Sequence, residues 1–120
     1  MHILIVDDDE HVARLLARVL RREGIEVLSA ADGAAGIACF RERVDEIALI
    51  VLDLSMPGLS AEERLAGLLE VSAGVPVLLS SGLPSGEVRA RFDRLGPGGF
   101  LEKPYTARRL VATVRELLGG

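Results

Sequence analysis

At 120 residues with a formal net charge of −4, the chain is the size of one domain, and its acidic balance argues against a general nucleic-acid binder, which would carry a basic stripe. Hydrophobic residues at 49% and charged residues at 27% exclude a disordered chain, and no apolar run reaches membrane-spanning length. The single cysteine, Cys39, excludes an internal disulfide, and the chain enters a strand directly without a signal-peptide pattern; both favour the cytoplasm.

His2-Ile3-Leu4-Ile5-Val6 reads as a first apolar strand, stopped by Asp7-Asp8-Asp9-Glu10. The period then changes to that of a helix. Val12, Leu15, Leu16, Val19 and Leu20 form one apolar stripe, with Arg14, Arg18, Arg21 and Arg22 opposite, and Gly24 ends the element. Ile25 to Ser29 is a short strand suited to a sheet edge. Asp32-Gly33 opens a second helix through about Val44, with Ile37, Ala38, Phe40 and Val44 available for packing and Cys39 read as a small core residue.

Glu46 leads into the most apolar stretch, Ile47-Ala48-Leu49-Ile50-Val51-Leu52, which ends at Asp53 before a Met56-Pro57-Gly58 turn. Such a run predicts a central strand buried on both faces of a parallel sheet. A carboxylate at its exit is costly to bury without partners. Ser60-Ala61-Glu62-Glu63 has capping-box spacing, so a third helix starts near Ala61. Val75 to Ser81 is a fourth strand, followed by a weaker helix from Ser85 to Leu95 that Gly96-Pro97-Gly98-Gly99 closes. Phe100-Leu101 is a short fifth strand before Glu102-Lys103-Pro104, and a last helix begins at the cap residue Thr106 and buries Leu110, Val111, Val114, Leu117 and Leu118.

Five alternations of strand and helix predict an α/β domain: one doubly wound five-stranded parallel sheet with helices on both faces and right-handed crossovers. The first, third and fourth strands are the most apolar, and the order 2-1-3-4-5 places them inside. Ligands bind such sheets beyond the strand C-termini, where the order reverses. Those ends carry Asp7 and Asp8, Asp53, Ser80 and Ser81, and Lys103. Of fourteen basic residues thirteen are arginine, so the one lysine, Lys103, marks a position where a compact ammonium is needed. Three gathered carboxylates require a raised pKa or a cation, and magnesium, which prefers oxygen ligands, is the simpler solution. Taken singly, each residue has a plain structural explanation: Asp8 or Asp9 can cap a helix, Asp53 can shape a turn, and serines at strand ends can satisfy local backbone. His2 and His11 have no convergent ligand set.

Val6-Asp7-Asp8, Asp53-Leu54-Ser55-Met56-Pro57-Gly58, Val77-Leu78-Leu79-Ser80-Ser81-Gly82 and Gly99-Phe100-Leu101-Glu102-Lys103-Pro104-Tyr105 together resemble the signatures of the receiver domain of two-component response regulators. The resemblance spans residues 1–120 as a single receiver domain with the flavodoxin-like fold. It implies that Asp53 accepts a phosphoryl group from a phosphohistidine on a sensor histidine kinase or histidine phosphotransfer domain. It implies Mg2+ held by Asp8, Asp53 and the Ser55 backbone carbonyl, with Asp7 acting through water and steadying Lys103. Ser81 is then the switch hydroxyl and Phe100 the ring that turns inward, and the Lys103–Pro104 bond is cis. The output is a changed face of the fourth helix, fifth strand and fifth helix, rich in Arg89, Arg91, Arg94, Arg108 and Arg109; no direct contact with nucleic acid or membrane is expected.

Two departures stand out. Leu59-Ser60-Ala61 replaces the Asp-Gly pair of many relatives, and Gly98-Gly99 replaces the usual Gly-Ala before the switch aromatic, which loosens the loop that positions Phe100. The Ser81-Gly82-Leu83 and Gly99-to-Tyr105 wording is more similar to receivers attached to hybrid sensor kinases. The alternative function is a phosphate-independent interaction module with the same fold. A phosphatase using an aspartyl intermediate, in its best-known form, needs a second acid where Ser55 stands.

Overall fold

The computed structural model describes residues 1–119. In chain order it contains β1 (His2–Val6), α1 (Glu10–Arg22), β2 (Glu26–Ala30), α2 (Gly33–Glu42), β3 (Ile47–Asp53), α3 (Ala61–Val71), β4 (Val77–Ser81), α4 (Ser85–Phe92), a 3-10 turn (Asp93–Leu95), β5 (Gly99–Glu102) and α5 (Ala107–Leu117). The five strands are parallel, in the order β2-β1-β3-β4-β5. This is the expected order, with the seven-residue β3 at the centre.

Alternation along the strands divides the core. Ile3, Ile5, Leu49, Val51, Leu78 and Leu101 face one side, where Leu16 and Leu20 of α1 and Leu110 and Val114 of α5 cover them. Leu4, Val6, Ile50, Leu52, Val77 and Leu79 face the other, under Phe40 of α2, Leu65 and Leu68 of α3, and Val88 and Phe92 of α4. A side chain buried on either face contributes about 1.5–3 kcal/mol, which is why β3 tolerates no polar residue before its last.

Local signals set most helix starts. Asp9 accepts from the His11 and Val12 amides, Asp32 from Ala35 at 2.7 Å, and Thr106 from Arg109 at 3.1 Å. The Ser60–Glu63 capping box forms in both directions, at 3.1 and 2.9 Å. Helix α4 has no side-chain cap; the Ser85 amide instead donates to the Glu102 carboxylate of β5 at 2.9 Å. Its end also differs from expectation, since Asp93–Leu95 tightens into a 3-10 turn that Gly96 closes at φ +74°.

Two packing expectations are corrected. On α1 the buried residues are Ala13, Leu16, Ala17 and Leu20, while Leu15 stays 58% exposed and Val12 and Val19 are half-buried. The stripe is rotated because two alanines let the helix lie close on the sheet. On α2 the buried residues are Gly33, Gly36 and Phe40, and Ala38 is exposed. A Cβ at Gly36 would stand 2.8 Å from a Val6 methyl, so glycine sets the approach of that helix to β1. Val111 and Leu117 of α5 and Leu118, which caps it, are half-buried.

Candidate functional site

The reversal of strand order puts the ends of β1 and β3 side by side, with Val6 opposite Leu52. Asp7 and Asp53 follow, each 5% exposed, while Asp8 is exposed at the rim. Carboxylate oxygens of Asp7, Asp8 and Asp53 lie within 4.8 Å of one another. On the other side of β3, Asp53 is opposite Ser80, and Lys103 is fixed by its amide, which donates to the Ser81 carbonyl at 2.7 Å. The Lys103 ammonium reaches Asp53 Oδ1 at 3.3 Å. Its ion pair is with Asp53, and its charge also acts on Asp7. The Lys103–Pro104 peptide is cis.

The backbone holds the acids in place. The Asp9 amide donates to Asp7 Oδ1 at 2.9 Å and the Ser55 amide to Asp53 Oδ1 at 3.1 Å. Burial raises the Asp7 pKa, the Asp9 amide lowers it, and the charges of Asp53 and Asp8 add to the rise while Lys103 opposes it. Three clustered acids with two of them buried make a net negative pocket that one lysine does not neutralise. The all-oxygen donor set fits a hard divalent cation.

Ser81 is buried at the end of β4, its hydroxyl accepting from the Leu83 amide at 3.0 Å. Phe100, half-buried on β5, lines the same crevice under α4 as Ser81, and the Arg89 guanidinium lies 4.7 Å from its ring centroid. Ser55 follows Asp53 on the loop into α3 and is exposed. Of the arginine-rich face, Arg91 is engaged by Glu62 through two 2.7 Å bonds that tie α4 to α3. Cys39 is half-buried, and burial pushes its thiol up, away from nucleophilic use.

Chain residues 3–115 match the family model described as response regulator receiver domain. The chain belongs to the response regulator receiver family. Sensory transduction protein RegX3 of Mycobacterium tuberculosis is 36% identical to this receiver over 116 residues, 97% of the chain and 50% of that protein. Transcriptional regulatory protein CpxR of Klebsiella pneumoniae is 35% identical, over 97% of the chain and 48% of that protein. The receiver thus spans about half the length of the curated relatives it matches. Among solved structures, the receiver domain of NtrX from Brucella abortus superposes with a TM-score of 0.87 at 30% identity, covering 97% of each chain. A receiver domain protein from Clostridium thermocellum gives 0.90 at 25% identity, over 98% of this chain and 93% of that one.

Two contributors to the site carry no role in the sequence reading, Tyr105 entering it only as the end of a signature and Arg64 not at all. Tyr105 stands half-buried beside the cleft, its hydroxyl raised mainly by burial. Arg64, on α3, is 1% exposed and donates to the Leu54, Met56 and Leu59 carbonyls of the loop after Asp53. Its backbone acceptors leave no trace in the sequence; the one signal is that Arg64 falls on the helical stripe of Ala61, Leu65 and Leu68, where an apolar residue would be expected.

Proposed function

We propose that residues 1–120 form a single receiver domain that acts as a phosphoacceptor switch, with Asp53 taking a phosphoryl group from a phosphohistidine of a sensor histidine kinase or histidine phosphotransfer domain. The observation that carries this reading is the convergence of three carboxylates with the Lys103 ammonium 3.3 Å from Asp53. An Asp53 oxygen attacks phosphorus as the phosphorus–nitrogen bond of the donor breaks, and the bonding pair leaves with the imidazole. Asp8, Asp53 and the Ser55 carbonyl would hold Mg2+, and Asp7 would hold a water on it. The ion, when bound, neutralises the charge that develops on the phosphoryl oxygens.

This chain's own residues do the rest. The Ser55 amide aims Asp53, and Lys103 supplies a fixed cation at the attacking carboxylate. Positioning and electrostatics carry most of the catalysis because phosphoryl transfer asks for little covalent work. The added charge then draws on the Ser81 hydroxyl, and Phe100, which lines the same crevice, turns inward. The output is a repacked α4–β5–α5 face.

An apolar groove of about 360 Å³ beside Lys103, lined by Val12, Leu15, Leu16, Tyr105 and Leu110, supports docking of the phosphodonor protein. No described helix is long and apolar enough to cross a membrane.

The test is incubation with phosphoramidate, a small donor with the same phosphorus–nitrogen bond, with and without MgCl2. Wild type is expected to gain one phosphoryl group only with magnesium, and Asp53→Asn none. Equal labelling of Asp53→Asn would overturn the assignment. Complete inertness of wild type would leave the phosphate-independent interaction module as the reading.

A further inference from the structure

Arg64 occupies a place where the packing asks for an aliphatic side chain. Ala61, Leu65 and Leu68 of the same helix join the core beneath α3, and Arg64 is as buried as they are. A guanidinium out of water is costly, and no carboxylate lies within ion-pair distance of this one among the described residues. Its acceptors are three main-chain carbonyls. Nη2 donates to Leu54 at 2.8 Å, and Nη1 donates to Met56 at 3.1 Å and to Leu59. Two of these flank Ser55. In the run Leu54–Ser55–Met56, the Ser55 carbonyl is the one that Arg64 leaves free.

The neighbouring chain makes room for this arrangement. A Cβ on Gly33 at the start of α2 would stand 2.6 Å from both Cγ and Cδ of Arg64. A planar fork with five donors can bridge diverging carbonyls in a fixed geometry, which an ammonium on a flexible stem does not reproduce.

We propose that Arg64 is a positioning residue for the metal: by holding the Leu54, Met56 and Leu59 carbonyls, it sets the loop so that the Ser55 carbonyl is presented to the ion held by Asp8 and Asp53. The inference rests on reading that pocket as a magnesium site. Residues that orient metal ligands typically change affinity by about 10–100-fold when lost, and the same scale applies here.

Magnesium chloride titration of the phosphate-free protein, followed through the Ser55 and Met56 amide resonances, reads the effect without any turnover. Arg64→Met, close in length but without charge or donors, is expected to raise the magnesium Kd about tenfold or more. Arg64→Lys keeps the charge and loses the fork, so its Kd is expected to rise as well. Gly33→Ala keeps the arginine's charge and the pocket's acids and displaces the arginine stem; a lower melting temperature is expected from the overpacking, and a several-fold rise in Kd where the variant is folded.

Three results would overturn the proposal. Tighter binding in Arg64→Met would make Arg64 a repelling charge, wild-type affinity in Arg64→Lys would make its charge sufficient, and unchanged affinity in Arg64→Met and Gly33→Ala would reduce it to packing. Failure of the wild type itself to bind magnesium would instead strike the metal reading of the pocket, and with it the basis of the inference. Gly33→Ala keeps the question open to experiment if the Arg64 variants do not fold.

Discussion

Asp7 is the acid at which the demands of folding and of the site diverge most. Burial holds its carboxyl above the ordinary value of 3.8, with Asp53 and Asp8 pushing the same way. As pH rises, the unfolded chain therefore loses this proton first, and the folded chain binds more protons between the two pKa values. Stability of the metal-free protein falls with rising pH through that window. Asp7→Asn removes the penalty and should stabilise the metal-free protein near neutral pH by about 1 kcal/mol, within the range for single stabilising substitutions. The gain should vanish below pH 3.8, where Asp7 is protonated in both states. Urea denaturation of the two proteins at neutral and acidic pH measures the difference. The acids, the lysine and the serine were legible as residues because each interrupts an apolar strand at its end. Arg64 was not, since backbone acceptors leave no trace in sequence and a buried cation among leucines reads as an irregularity of the helix.

Elements follow the sequence where local signals are strong and depart from it where packing decides. The capping box of α3 and the Thr106 cap of α5 are local, and both form as their sequences imply. Helix α1 shows the other case: alternative apolar stripes were available, and close approach to the sheet selected the one with Ala13 and Ala17, leaving Leu15 exposed. The two glycines before Phe100 also separate on packing grounds. A Cβ at Gly98 would lie 2.7 Å from Pro76 Cβ, so glycine is needed there, whereas at Gly99 the nearest atoms, on Leu117 and Leu78, are 3.5 and 3.6 Å away. Gly99→Ala should therefore fit, reduce the entropy of the unfolded chain and stabilise the protein by about 0.4–1 kcal/mol. Thermal denaturation should show a higher midpoint for Gly99→Ala; a lower one would mean that β5 needs the freedom of glycine at that position.

For the molecule as a whole, the parallel order β2-β1-β3-β4-β5 gathers at the strand C-termini three acids and a lysine from three separate segments, Asp7-Asp8, Asp53 and Lys103. Metal binding should couple to global stability, because an ion that binds only the folded state adds about 2.7 kcal/mol at a hundredfold excess over its Kd. Magnesium should raise the melting temperature of wild type and leave that of Asp8→Asn nearly unchanged, a contrast that differential scanning calorimetry resolves. Which strands lie inside and where the pocket sits were legible in the sequence, because apolar run length separates β1, β3 and β4 from the edge strands and the polar residues cluster at the strand C-termini; the full order also rested on the resemblance to receivers. The geometry that makes the pocket specific was not, because the pairing of Lys103 with Asp53 and the clamp by Arg64 arise between elements. The most direct test of the phosphoacceptor role is peptide-resolved mass spectrometry after reaction with a small phosphodonor. A single phosphoryl group on the peptide containing Asp53, absent when magnesium is chelated, is the predicted result; modification at another residue, or at Asp53 to the same extent without magnesium, would contradict the account.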